Sequence, residues 1–323
     1  MPSKSEPQNS QAAAWAFCFL TFIAVTKTLL TKLVFKHVNT PVAFSVLSCV
    51  ATILCILPVF LFKRSMFSWL SRDMYTGFFY VCVAIAVDLG CTNVAISELS
   101  VAFQQCIKAA SPAATIILET IVTGKLQHPV VYLVIAILCT GTVVTGMGSS
   151  DYDSSFKGIV MMTTAVFAGA FKYVWAHSMI RTFKEKMGTL AFTFWVEVFV
   201  AAMLFPWAYL NGEMGELFWP SATDDTASYS TMDWALLWFT AAYGGVRIYS
   251  QFVLLQFTSA TTLALSNVTI QAFTTILGIW LFHTEVTQTL ALGVAITLLA
   301  SGAYTYIKVS GQCAPSSGGK AMH

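Results

Sequence analysis

Charge is what this chain has least of. Asp, Glu, Lys and Arg make up 10% of its 323 residues, against about 25% in soluble domains. Hydrophobic residues make up 57%. No soluble fold of this length could hide that much apolar surface. A water-soluble domain is excluded, and an all-α polytopic membrane protein is expected. Catalytic motifs are missing too. There is no nucleotide-hydrolysing loop, no Gly-x-Ser elbow, no His-rich cluster and no metal-ligand spacing. Neither an enzyme nor a metal or organic cofactor is expected. Cysteine has no disulfide or zinc spacing. Seven of the eight Cys (18, 49, 55, 82, 91, 106 and 139) lie in apolar segments and only Cys313 in a tail, so they read as small packing residues. The net charge of +2 says little about partners, because in a membrane protein the position of charge matters more than its sum, and nucleic acid is not an expected partner.

What is present is a series of long apolar runs. Ten spans are expected, at about 12–34, 42–62, 75–96, 100–122, 129–149, 156–178, 189–210, 232–255, 260–282 and 287–308. The first run is read as a span, not as a cleaved leader. The connecting loop 211–231 is acidic, with Glu213, Glu216, Asp224 and Asp225. Loop cations set the orientation. Lys4, Lys63, Arg64, Arg72, Lys125, Arg181, Lys184, Lys186, Lys308 and Lys320 lie on one side, against Lys32, Lys36 and Lys157 on the other. Both termini are therefore expected in the cytosol and the acidic loop in the lumen or outside. Lys32 and Lys36 do not fit this pattern, and Lys32 is expected to reach the membrane interface.

The chain also carries an internal repeat. Shifting Val87–Gly146 by 159 residues overlays it on Val246–Thr305, with Ser100 on Ser259, Thr115 on Thr274 and Ile117-Leu118 on Ile276-Leu277. A shift of 145 brings Lys27 onto Lys172. Five spans is an odd number, so the halves, residues 1–150 and 151–323, would enter the membrane in opposite senses. A site is then expected at the midplane between them.

The segment Asp88-Leu-Gly-Cys-Thr-Asn93, followed by Ser100-Val-Ala-Phe-Gln-Gln-Cys-Ile-Lys108 and Ser111-Pro112, resembles the third and fourth helices of the nucleotide-sugar/triose-phosphate translocator branch of the drug/metabolite transporter superfamily. Thr258–Ser266 is similar to the ninth helix of that branch, and Gly124-Lys125 and Thr284-Glu285 fall on its glycine–acid pairs, the first without its acid. The resemblance implies ten helices and exchange of phosphate-bearing metabolites. It also implies that Lys108 occupies the position of a phosphate-contacting Lys. Plastid members carry Lys-Arg in the ninth helix where this chain has Ile270 and Gln271, which counts against triose phosphate.

Lys108 lies about 12–13 Å into its span at 1.5 Å per residue, too deep to snorkel fully. A Lys near the bilayer centre costs roughly 2.5–3.5 kcal/mol, so it is read as facing a cavity, with pairing to Asp88 the alternative. Pro112 should kink this helix. Lys27 and Lys172 occupy equivalent places in the two halves and are expected to share that cavity. Arg247 suits a bidentate phosphate contact or a buried pair with Asp88 or Glu197. Glu119 and Glu197 are read as structural. Asn93, Gln104 and Gln105, with Ser266, Asn267, Thr269 and Gln271, are read as polar groups near the cavity. Tyr243 is placed to stack on a base or bond a sugar. The candidate substrate-binding set is Lys108, Gln104, Lys27, Lys172, Arg247, Asn93, Tyr243, Asn267 and Gln271.

Together these imply a secondary transporter, an antiporter of a nucleotide sugar for a nucleoside monophosphate across a Golgi or endoplasmic-reticulum membrane. Two alternatives stand beside it. One is a translocator of small phosphorylated metabolites (phosphoenolpyruvate, triose or pentose phosphate) in exchange for phosphate, and the other is a non-transporting scaffold. The expected partners are a phosphorylated small molecule and the lipid bilayer, with a homodimer left open.

Overall fold

The computed structural model describes residues 7–123, 129–148, 156–183, 186–218, 230–257, 260–283 and 286–310. Its regular structure is helical throughout these residues. The helices are α1 (Pro7–His37), α2 (Pro41–Phe62), α3 (Tyr75–Glu98), α4 (Val101–Ala109), α5 (Ser111–Thr123), α6 (Pro129–Gly148), α7 (Phe156–Thr182), α8 (Thr189–Leu210), α9 (Glu213–Phe218), α10 (Thr231–Phe257), α11 (Ala260–Phe282) and α12 (Gln288–Ser310). Helices dominate because a chain this apolar must satisfy its backbone polar groups within each segment. Among the described residues, five stretches are long and apolar enough to cross a membrane: Trp15–His37, Pro41–Phe62, Arg72–Glu98, Phe156–Ile180 and Thr189–Leu210. The pairs Gly124-Lys125 and Thr284-Glu285, residues 258–259 and residues 219–229 of the acidic loop lie outside the described residues.

Two local features depart from the sequence pattern. The expected fourth span is two helices, α4 and α5, divided at Ala110. Pro112 falls in the first turn of α5, where a missing N–H is tolerated, so the chain breaks before the proline instead of bending at it. The acidic loop holds the short helix α9, whose Glu213 Oε2 accepts from the main-chain N–H groups of Val42 (2.6 Å) and Ala43 (2.9 Å) at the start of α2. A carboxylate there offsets the positive end of the α2 dipole.

Helix α1 packs on α10 and α11, α2 on α8 and α10, α3 on α7, and α6 on α12. The main core joins α1, α2, α3, α7, α8 and α10 through buried Leu20, Phe44, Phe78, Ala176, Val196 and Ala241. Trp15, Phe22, Phe62 and Trp280 point outward and are largely exposed, as lipid-facing residues would be. Close approach depends on small residues. A Cβ on Gly244 would collide with Ser48 Oγ, and one on Gly245 with Thr52 Oγ1. Ser48 Oγ donates to the Ala241 carbonyl at 2.8 Å, fixing α2 against α10. A Cβ on Gly278 would meet Val101 Cγ1 at 2.6 Å, so α11 crosses close to the start of α4.

The end of the bundle where α1 finishes is closed by cations. Lys32 Nζ donates to the carbonyls of Ile96 and Leu99, each at 2.7 Å, at the negative end of α3. Lys36 Nζ lies 4.9 Å from the ring centroid of Phe282 at the end of α11. Lys157 Nζ pairs with Glu98 Oε1 at 3.1 Å. The two lysines that break the loop-charge pattern are thus occupied by a helix terminus and a ring. The Lys32 ammonium is held by the carbonyls at the end of α3.

Candidate functional site

The site is built on the α4–α5 break. Ser100 caps α4, accepting from the Phe103 N–H at 3.4 Å, and sets the helix phase. That phase separates two adjacent glutamines. Gln104 is fully buried and donates from Nε2 to the Leu99 carbonyl at 2.7 Å. Gln105, about 100° further round the helix, turns into a cavity.

The cavity holds about 90 Å³ and lies between elements from both parts of the chain. Lys27 of α1, Lys108 of α4, Lys172 of α7 and Arg247 of α10 line it, with Asp88 of α3 as the carboxylate on its wall. Asp88 Oδ2 pairs with Lys172 Nζ, and Asp88 Oδ1 accepts from Thr92 Oγ1 at 3.3 Å. That pairing corrects two alternatives from the sequence, since Asp88 binds neither Lys108 nor Arg247. Among the described residues, Lys27, Lys108 and Arg247 make no ion pair. Lys27 is 3% exposed, with its Nζ 5.3 Å from the Phe44 ring centroid. Arg247 Nε is buried and has no hydrogen-bond partner among the described residues.

Polar side chains complete the wall. Asn267 Nδ2 donates to the Tyr173 hydroxyl at 3.1 Å, and Lys172 Nζ lies 4.8 Å from the Tyr173 ring centroid. Gln271 Nε2 donates to the Lys108 carbonyl at 2.9 Å. Six of the nine candidates therefore share one cavity: Lys27, Lys108, Lys172, Arg247, Asn267 and Gln271.

The other three do not line it. Gln104 holds the α3–α4 turn. Asn93 is fully buried and donates to Ser45 Oγ at 2.7 Å, joining α3 to α2. Tyr243 stacks on Phe239, centroids 5.8 Å apart. Glu197 is 1% exposed in α8 and makes no ion pair among the described residues, so the considered Arg247–Glu197 pair is not formed. The side chains of Glu119, Ser266 and Thr269 lie outside those described. Sequence reasoning missed Ser48, Thr92, Ser111, Tyr173 and Gln251 on the wall. Only Tyr173 gave a signal, as the neighbour of Lys172.

A concave site with several amides and three cations that make no ion pair among the described residues is suited to a polyanion. The Triose-phosphate Transporter family profile matches residues 12–306. The chain belongs to the triose-phosphate transporter family. Members of this family are membrane transporters, not enzymes, and the branch is not narrowed to nucleotide sugars. Two proteins of Arabidopsis thaliana named probable sugar phosphate/phosphate translocators are similar. One is 23% identical over 249 residues, covering 75% of this chain and 57% of its own length. The other is 22% identical over 230 residues, covering 70% of each. The chain thus spans a little over half the length of the first. A crystal structure covering 94% of this chain and 98% of its own superposes with a TM-score of 0.60 at 14% identity, which shows a shared fold alone.

Proposed function

We propose that the chain exchanges a small phosphorylated metabolite, a sugar phosphate or related phosphate ester, for phosphate across a membrane. The observation that carries this is the set Lys27, Lys108 and Arg247, three cations without a carboxylate among the described residues, facing one cavity. Intramembrane cations are costly to keep without an anion to meet, which also argues against a scaffold. Lys108 and Arg247 would grip the phosphate, Arg247 through its planar fork. Lys172, neutralised by Asp88, would hold Tyr173 and Asn267 in place. The names of the two Arabidopsis relatives support the same substrate class.

The transport frame goes with this reading. Ten spans in two inverted halves would rock about the cavity, opening it to each side in turn. In support, α1 packs on α10 as α7 packs on α3, and these pairs exchange under the repeat. Both termini would face the cytosol, and a Golgi or endoplasmic-reticulum membrane is the proposed address. No second copy is needed to complete the cavity.

A nucleotide sugar exchanged for a nucleoside monophosphate is the second reading. It is favoured by Ile270 and Gln271, which put no cation on α11. It is weakened by the position of Tyr243, the aromatic expected to stack on the base, outside the cavity. Liposomes loaded with phosphate separate the two. Uptake of labelled phosphate should be inhibited by glucose 6-phosphate or phosphoenolpyruvate and not by uridine or guanosine diphosphate sugars. Inhibition by a nucleotide sugar alone would promote the second reading.

A further inference from the structure

Pro112 has no N–H, so the carbonyl of Lys108, four residues back, cannot receive its helical bond. It accepts instead from the Ala110 N–H where α4 ends, and its second lone pair is left for a further donor. That second bond comes from the other half of the chain, as Gln271 Nε2 of α11 donates to it at 2.9 Å. That contact fixes the orientation of the amide. The NH2 group must face the carbonyl, which turns Oε1 the other way. Gln271 is 6% exposed and lines the cavity, and its Oε1 has no partner among the described residues. A buried amide oxygen without a donor leaves its desolvation cost uncompensated, and the cations around this cavity supply the rest of an anion's contacts.

We propose that Gln271 is a specificity-determining residue that accepts a hydrogen bond from a hydroxyl of the phosphorylated ligand, while its NH2 group holds the Lys108 backbone in place. The site would then prefer phosphate esters that carry a free hydroxyl over phosphate esters of the same size without one. This rests on the transport reading above. It gives a specific role to a residue that the sequence placed only among the candidate substrate-binding groups.

The test is inhibition of labelled-phosphate exchange in liposomes by glycerol 3-phosphate and by propyl phosphate, which differ only in hydroxyls. The wild-type protein should bind glycerol 3-phosphate about ten- to a hundredfold more tightly, the span expected when a buried acceptor loses its donor. Gln271→Leu should bring the ratio close to one while phosphate exchange continues at a reduced rate. Equal inhibition of the wild-type protein by the two esters, or a Gln271→Leu carrier that keeps the wild-type ratio, would overturn the inference. If Gln271→Leu fails to fold, Gln271→Met is read in its place, and a wild-type ratio near one overturns the inference with either. Wild-type protein that exchanges no phosphate at all would overturn the transport reading, and this inference with it. Exchange without the hydroxyl preference would overturn this inference alone.

Discussion

At the scale of single residues, the cavity separates cations that are free to meet a ligand from one that is not. Lys108 has no carboxylate partner among the described residues, so its charge is available to a phosphate. A charge-assisted contact contributes about 1.5–3 kcal/mol, so Lys108→Ala should raise the KM for phosphate about ten- to a hundredfold. Exchange kinetics in liposomes check this. Lys172 is different, because Asp88 already pairs with it. Removing one member of a buried pair typically costs about 3–5 kcal/mol, whereas replacing both with apolar groups can be neutral. Asp88→Asn should therefore lower the melting temperature, and adding Lys172→Met should restore much of it. A double variant less stable than Asp88→Asn alone would contradict the pairing. Lys108 was legible in the sequence because its depth in an apolar run left few alternatives. Asp88 was legible as a possible partner, but which cation it chose was not. That choice depends on how α3 and α7 are rotated against each other. The same holds for Gln104 and Gln105. Neighbours in sequence point about 100° apart on a helix, and the phase of α4 is set by its Ser100 cap and its end at Ala109.

At the scale of helices, hydropathy gave their existence and rough bounds, because length and apolarity alone decide whether a segment can cross. It did not give the break at Ala110, which reflects where Pro112 is cheapest to place. Nor could it give α9, a short helix in a polar loop whose role is to hold Glu213 on the start of α2. The Gly244-Gly245 pair was visible ahead of Arg247, but its purpose appears only in the packing. A methyl at either position would drive α10 off Ser48 or Thr52. Gly245→Ala should cost about 1–3 kcal/mol by overpacking and lower the thermal midpoint. Lys32 makes a second test at this scale. Lys32→Met leaves two carbonyls at the end of α3 with less compensation, and the midpoint should fall, with Lys32→Arg restoring much of it. A Lys32→Met protein as stable as the wild type would mean that these bonds contribute nothing measurable.

At the scale of the whole molecule, side chains from α1, α3, α4, α7, α10 and α11 meet in one cavity although the sequence spreads them from Lys27 to Gln271. The repeat read in the sequence pointed to such convergence, since equivalent positions in two inverted halves would meet at a shared axis. Substrate identity was less legible. A nucleotide sugar and a sugar phosphate both present phosphate to cations, and the distinction rests on the neutral wall, where Tyr243 proved absent and Tyr173 present. The cations also come from α1, α4 and α10, not from α11, so the missing pair at Ile270 and Gln271 does not leave the cavity without charge.

The most direct measurement is uptake of labelled phosphate by liposomes holding the purified protein, with and without glucose 6-phosphate inside. Obligatory exchange through a cationic cavity predicts uptake that is strongly stimulated by the internal ester and largely lost in Lys108→Ala at low substrate concentration. Phosphate uptake that needs no internal anion, or a Lys108→Ala protein that exchanges at the wild-type rate, would contradict the account.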